Sequence, residues 1–220
     1  METIITAENV KKSFQKHTVL DQLELHVQKG EFLAIVGASG CGKSTLLNIL
    51  GLLDRQDEGD IILFGEKNIR PFSHQAQVLL KEKIGYLFQN YALLEDKSIA
   101  YNLEIVFSGR MKREEKRQRI MEALEAVGLK GMEKKKVCQC SGGEQQRVAI
   151  ARLLLKPCEL ILADEPTGNL DPQNKEKVYE LLKEMNVQGK TVIIVTHDME
   201  LAKRCDRILV MDEGKLSTAA

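Results

Sequence analysis

Four apolar runs stand out along the chain because nothing polar interrupts their centres: FLAIV (32–36), LILA (160–163), TVIIVT (191–196) and RILVM (207–211). Short unbroken runs of this kind predict strands buried on both faces, as in a parallel sheet. LELHV (23–27) alternates instead, which predicts a half-exposed antiparallel strand. Between about 96 and 156 the period changes. In REEKRQRIMEALEAVGL, Ile120, Leu124 and Val127 recur at helical spacing, and Gly128 offers a stop. The dense charge over 110–120 reads as the solvated face of a helix. The pattern predicts an α/β sheet domain, approximately 1–89 and 157–220, with an α-helical lobe inserted at approximately 90–156. The stretch before the first continuous strand adds an N-terminal antiparallel β portion.

Composition narrows the classes. With 220 residues, 43% of them hydrophobic, the chain has enough apolar side chains for one globular unit with a sizeable core. Lys plus Arg and Asp plus Glu are both 32, so the basic surplus of a nucleic-acid binder is missing and no nucleic-acid partner is expected. No run approaches the roughly 18 apolar residues of a membrane span. METIITAENVKKSF lacks the apolar core of a signal peptide, so the expected location is cytoplasmic. The five cysteines form no CxxC pair, which points to reduced thiols rather than a zinc site.

The first chemical signal is GASGCGKST. Gly37, Ala38, Ser39, Gly40, Cys41, Gly42, Lys43 and Ser44 fit G-x-x-x-x-G-K-[ST], with Thr45 next, between an apolar strand and a helix-like STLLNILGLL. In that setting the glycines let backbone N–H groups close around a β-phosphate. Lys43 is placed to reach the β- and γ-phosphates of ATP, and Ser44 to offer its hydroxyl to Mg²⁺.

The second is ELILADEPTGNLD, which sets Asp164 and Glu165 at the end of a buried strand. Beside a phosphate loop, Asp164 is the expected Mg²⁺ carboxylate, directly or through water. Glu165 is the candidate general base for the attacking water. The third is CSGGEQQRVAIAR, where a serine and two glycines open another helix-like run about a hundred residues downstream of the phosphate loop. A helix start of this kind also suits an anion, so one chain carries two phosphate-seeking helix starts.

The order GASGCGKST, GYLFQN, CSGGEQQR, LILADEPTGNLD, VTHD resembles the nucleotide-binding subunits of ABC transporters, over essentially the whole chain. The resemblance implies a P-loop NTPase (RecA-like) core and an ATPase coupled to transmembrane transport. It implies that Gln89 contacts metal and nucleotide, that Ser141, Gly142 and Gly143 form the signature, and that Asp171 communicates between subunits. It further implies that His197 contacts the γ-phosphate and that Phe14 stacks on adenine. Two protomers would sandwich two ATP head to tail, each signature serving the γ-phosphate held by its partner's loop. The second helix start would then be a half-site that a twofold copy completes. An integral membrane permease would be the other partner, anchoring the subunit peripherally on the cytoplasmic face of the membrane.

Two positions depart from the family pattern. Cys140 stands where Leu is usual, and is expected to pack under the loop. Glu144 stands where Gln is usual, and either repels the nucleotide or is neutralised by a nearby base. ADEPTGNLD and KIGYLFQNYALLED resemble the subgroup serving lipoprotein release, macrolide export and antimicrobial-peptide export. Export or extraction of a peptide, lipoprotein or drug-like substrate is the expectation; an importer subunit or a non-transport ATP-binding regulator is the alternative. Tyr91, Leu93, Leu94, Ile99 and Tyr101 are expected to line an apolar junction, beside Gln89, where a permease helix docks.

Overall fold

The computed structural model describes residues 2–107, 111–168 and 170–218. Two long strands, β1 (Thr3–Phe14) and β2 (His17–Gln28), pair antiparallel. They join β4 (Glu58–Leu63) and β5 (Glu66–Lys67) in a four-stranded sheet of order β2-β1-β4-β5. A second sheet holds β3 (Phe32–Val36), β6 (Ile84–Leu87), β7 (Leu160–Asp164), β8 (Thr191–Thr196), β9 (Arg207–Asp212) and β10 (Lys215–Thr218). Its order is β10-β9-β3-β8-β7-β6, parallel except for the β9–β10 pair.

The continuous apolar runs have a physical reason. Successive strand residues point to opposite faces, and both faces of the parallel sheet are covered. Leu33, Ile35, Leu162 and Ile193 pack with the antiparallel sheet and with α1 (Lys43–Leu50). Phe32, Ala34, Ile161 and Ile194 pack in the other layer, with α5 (Gly142–Leu155) and α6 (Pro172–Val187). Each fully buried Leu or Ile contributes roughly 1.5–3 kcal/mol of transfer free energy, so a polar residue inside these runs would be expensive on either face.

Two further helices, α3 (Ile99–Glu104) and α4 (Arg113–Ala126), precede α5, after α2 (His74–Glu82). A 3-10 turn, Val137–Gln139, leads into α5, and a short α7 (Met199–Ala202) follows β8. The amphipathic spacing on α4 has its expected consequence: Ile120, Leu124 and Val127 are buried, and Gly128 turns the chain away with φ +70°. The charged residues 113–119 are otherwise largely exposed. The helix predicted from STLLNILGLL is shorter than its apolar run and stops at Leu50, before Gly51.

Strand order is what builds the site. In the sequence β9-β3-β8-β7-β6, the carboxyl ends of four neighbouring strands each carry one motif, the arrangement by which parallel α/β sheets form ligand crevices.

Candidate active site

The phosphate loop leaves β3 and enters α1. Gly42 caps that helix with φ +109°, a conformation that L side chains rarely adopt, and a Cβ there would lie 2.8 Å from the Val19 carbonyl oxygen. No side chain caps α1, so its first-turn amides stay open to an anion. Gly37 is fixed by close approach: a Cβ on it would collide with the Met211 carbonyl oxygen. Lys43 is nearly buried, and its Nζ donates to the carbonyls of Gly37 and Ala38, each at 2.8 Å. The ammonium is thus held over the loop by neutral acceptors only.

Four strands on along the chain, but next but one in the sheet, β7 ends in Asp164. Ser44 Oγ donates to Asp164 Oδ1 at 3.1 Å. Burial pushes the Asp164 carboxyl above the usual carboxylate range and the adjacent Glu165 adds to this, while Ser44 and Lys43 act in the opposite sense. Glu165 has φ +46°, unusual for a residue with a Cβ. Its side chain is held from β8: Thr196 Oγ1 donates to Glu165 Oε2 at 3.2 Å, and His197 Nδ1 lies 3.0 Å from the same oxygen. The Thr196 hydroxyl accepts from the Asp198 N–H at 3.0 Å, which orients its proton toward the carboxylate.

These groups surround a cavity of about 660 Å³, large enough for a nucleotide. Ser39, Gly40, Gly42, Lys43, Ser44 and Thr45 form its floor; Phe14 and Val19 stand on one side. Gln89, Glu165, Gly168 and His197 complete the lining. Phe14 is half exposed, and Lys12 Nζ sits 5.1 Å from its ring centre. Val19, Gly168 and Thr196 escape sequence reasoning. Thr196 had a signal, a hydroxyl at a strand end beside His197; Val19 had none, being an ordinary residue of an antiparallel pair.

Ser141, Gly142, Gly143 and Asp171 do not line this cavity. Ser141 caps α5, its Oγ accepting from the Glu144 N–H, while Glu144 Oε2 accepts from the Ser141 N–H at 2.8 Å. Lys135 Nζ lies 2.8 Å from the same Glu144 oxygen. The hydrogen bond from Lys135 holds the Glu144 carboxyl below its usual range, with the Ser141 N–H adding to it. The negative charge is therefore paired inside the chain and turned to capping. Cys140 is buried and joins the core cluster. Asp171 caps α6, accepting from the Asn174 N–H at 3.0 Å.

The apolar junction after Gln89 differs from expectation in one member. Ile99 is fully buried, because α3 turns it into the lobe core with Leu103. Leu94 and Tyr101 are about half exposed, and Tyr91 and Leu93 are partly buried. Arg152 of α5 donates to the carbonyls of Tyr91 and Ala92, two consecutive residues with positive φ.

Residues 20–168 match the family model for the ABC transporter. The chain belongs to the ABC transporter family, as its ATPase domain. This ABC ATPase is 41% identical to the macrolide export ATP-binding/permease protein MacB of Escherichia coli, over 98% of this chain and 34% of MacB. It thus spans about a third of the length of such exporters. It is also 41% identical to the ABC transporter ATP-binding protein YvrO of Bacillus subtilis, over 97% of this chain and 95% of YvrO. Among solved structures it superposes on the ATP-binding cassette MJ0796, a dimer bound to ADP and Pi, with TM-score 0.91, 37% identity and 97% coverage of both chains.

Proposed function

We propose that this domain hydrolyses ATP as one of two identical subunits and transmits the resulting motion to a membrane permease that exports a peptide, lipoprotein or drug-like substrate. One observation carries the reading: the phosphate loop, Glu165, Gln89 and His197 converge on one cavity, with Asp164 joined to the loop through Ser44, while Ser141 does not line it. In this reading the adenine stacks on Phe14, and the phosphates lie against the amides of residues 37–45. Lys43 exchanges its loop carbonyls for β- and γ-phosphate oxygens. Glu165 takes the proton of the attacking water, with Thr196 and His197 orienting its carboxylate, and His197 also steadies the γ-phosphate.

Mg²⁺ fits the donor set. Ser44, Asp164 and Gln89 offer oxygen atoms only, and the described residues contain no cluster of three His, Cys, Asp or Glu side chains. Mg²⁺ prefers one or two carboxylates together with substrate phosphates. Bound there, it would neutralise charge on the β- and γ-phosphates. Among the described residues the partly buried Asp164 carboxylate has a hydroxyl as its hydrogen-bond partner, and its burial outweighs the opposing pull of Ser44 and Lys43.

The head-to-tail dimer is supported by the glycines of the signature. Gly142 is not at positive φ, and a Cβ on it would meet nothing within 4 Å. Nothing among the described residues demands glycine there; in this reading it allows close approach by a partner's bound phosphate. Asp171 would sit at the same interface. The division into core (1–89 and 157–220) and lobe (90–156) would let the signature move relative to the cavity. No helix among the described residues is long and apolar enough to cross a membrane, so the transport path belongs to another polypeptide or segment. Similarity to MacB supports export. In this reading a permease helix docks on the exposed Leu94 and Tyr101, a few residues after Gln89, with the subunit on the cytoplasmic membrane face. Leu94→Glu should abolish co-purification with membranes carrying the permease while ATPase activity of the free subunit persists. Unchanged co-purification would put docking elsewhere.

A further inference from the structure

Gln146 lies on α5, five residues beyond the Ser141 cap, and is 1% exposed. Its Nε2 donates to the carbonyl of Pro166, the residue after Glu165. Its Oε1 is buried and has no hydrogen-bond partner among the described residues. An unpaired buried acceptor is unfavourable, and the amide is satisfied on its donor side only. What it does satisfy is the turn that carries Glu165. That turn starts in the sparsely populated left-handed region at Glu165, and closes with the Gly168 N–H donating to the Glu165 carbonyl at 3.0 Å. A residue with a Cβ stays in such a conformation only when its surroundings over-determine it.

The next residue of α5 reaches the far side of the same segment. Arg147 Nη1 donates to Asn174 Oδ1 at 2.8 Å, and Asn174 Nδ2 in turn donates to Asp171 Oδ2 at 2.5 Å. Adjacent residues of one helix therefore reach Pro166, just after Glu165, and Asn174, just after Asp171.

We propose that Gln146 is a positioning residue for Glu165, tying the helix that begins at the signature to the turn that holds the general base. The inference rests on the reading of Glu165 and of the shared sites given above. In a head-to-tail dimer the signature of one chain belongs to the partner's nucleotide, whereas Glu165 belongs to the chain's own. Gln146 then links the two sites, so that engagement of one signature sets the base geometry of the other site.

The test uses the full chain with Gln146→Met, which keeps the apolar volume, removes the donor and removes the orphaned acceptor. It exchanges one unpaired acceptor, Oε1, for another, the Pro166 carbonyl, so the melting temperature should stay within about 3 °C of the parent. Nucleotide affinity should be unchanged within about twofold, since only kcat depends on an interaction realised in the transition state. kcat should fall about 10- to 100-fold, the scale expected for a misplaced catalytic group. Introduced into Glu165→Gln, Gln146→Met should cause no further loss, as two changes acting through one group are not additive. Amide exchange at Thr167 and Gly168 should rise about tenfold, whatever the rate of hydrolysis. Unchanged exchange there would overturn the proposal. So would unchanged kcat beside an inactive Glu165→Gln, or a fallen melting temperature with normal kcat per folded molecule, which would reduce Gln146 to packing. Near-parent turnover in Glu165→Gln itself would instead remove the assignment of the base, and the exchange measurement would still decide whether Gln146 holds the turn.

Discussion

The two helix starts that resemble each other in sequence differ in how they satisfy themselves. At α1 the cap is a glycine with no side-chain hydrogen bond, so the first-turn amides are left open. At α5 the Ser141–Glu144 box uses the amides of the cap and of the third helical residue, and Lys135 balances the Glu144 charge. Only the amides of Gly142 and Gly143 lie outside that box. The glycines also differ in cause. Gly42 and Gly37 are demanded by the chain itself, through positive φ or a neighbouring carbonyl, whereas nothing among the described residues demands Gly142. The first start lines a cavity shared with other elements; the second does not, and under the proposed function a partner completes it.

The largest effect should come from the finished site. Glu165→Gln keeps the volume and the Thr196 contact but removes the carboxylate proposed as the base. Turnover should fall roughly 10²–10⁴-fold with ATP binding intact, and an ATP-bound dimer should accumulate on gel filtration. Near-normal hydrolysis would mean that another group activates the water.

A pair of alanines separates the two glycine causes. Gly42→Ala forces a Cβ into the left-handed region against Val19, a strain of about 1–3 kcal/mol. Both melting temperature and nucleotide binding by the single chain should drop. Gly142→Ala should leave melting unchanged or raise it slightly, by up to about 1 kcal/mol of lost unfolded-state entropy. It should leave single-chain nucleotide binding alone and reduce ATP-dependent dimerisation. A Gly142→Ala protein that melts early would show that the chain needs this glycine after all.

How much of this contrast is legible in the sequence follows from its physics. The parallel strands announce themselves because both faces are buried, and the phosphate loop because strained backbone demands glycine in a fixed spacing. Asp164 and Glu165 are legible because carboxylates rarely end a buried strand without cause. Ile99 is not: an apolar residue beside a presumed groove looks the same whether it lines the groove or the core behind it, and only the path of α3 decides. Thr196 and Gln146 act through contacts spanning 31 and 20 residues, which no local pattern encodes. Glu144 was ambiguous for the same reason, its partner Lys135 lying across the 3-10 turn.

The smallest effect concerns that pair. The Glu144 carboxyl is held below its unfolded value by Lys135 and the Ser141 N–H. A depressed carboxyl pKa contributes stability that is fully present above the unfolded value of about 4.3 and is lost as pH falls through the folded value. Glu144→Gln should therefore melt slightly below the parent near neutral pH, and the difference should vanish under acid conditions. A gap that widens on acidification would have the wrong sign for this pairing.

The central claim, that each ATP site is built from two chains, is tested most directly by mixing two disabled proteins. Lys43→Ala damages the phosphate loop and Ser141→Arg blocks the signature, so each homodimer has two damaged sites. In a mixed dimer both lesions fall in one composite site and the other is whole. Mixing should restore ATP-dependent dimerisation and part of the hydrolysis that neither protein shows alone. Failure of the mixture to recover either, with both proteins folded, would contradict the account and place each site within a single chain.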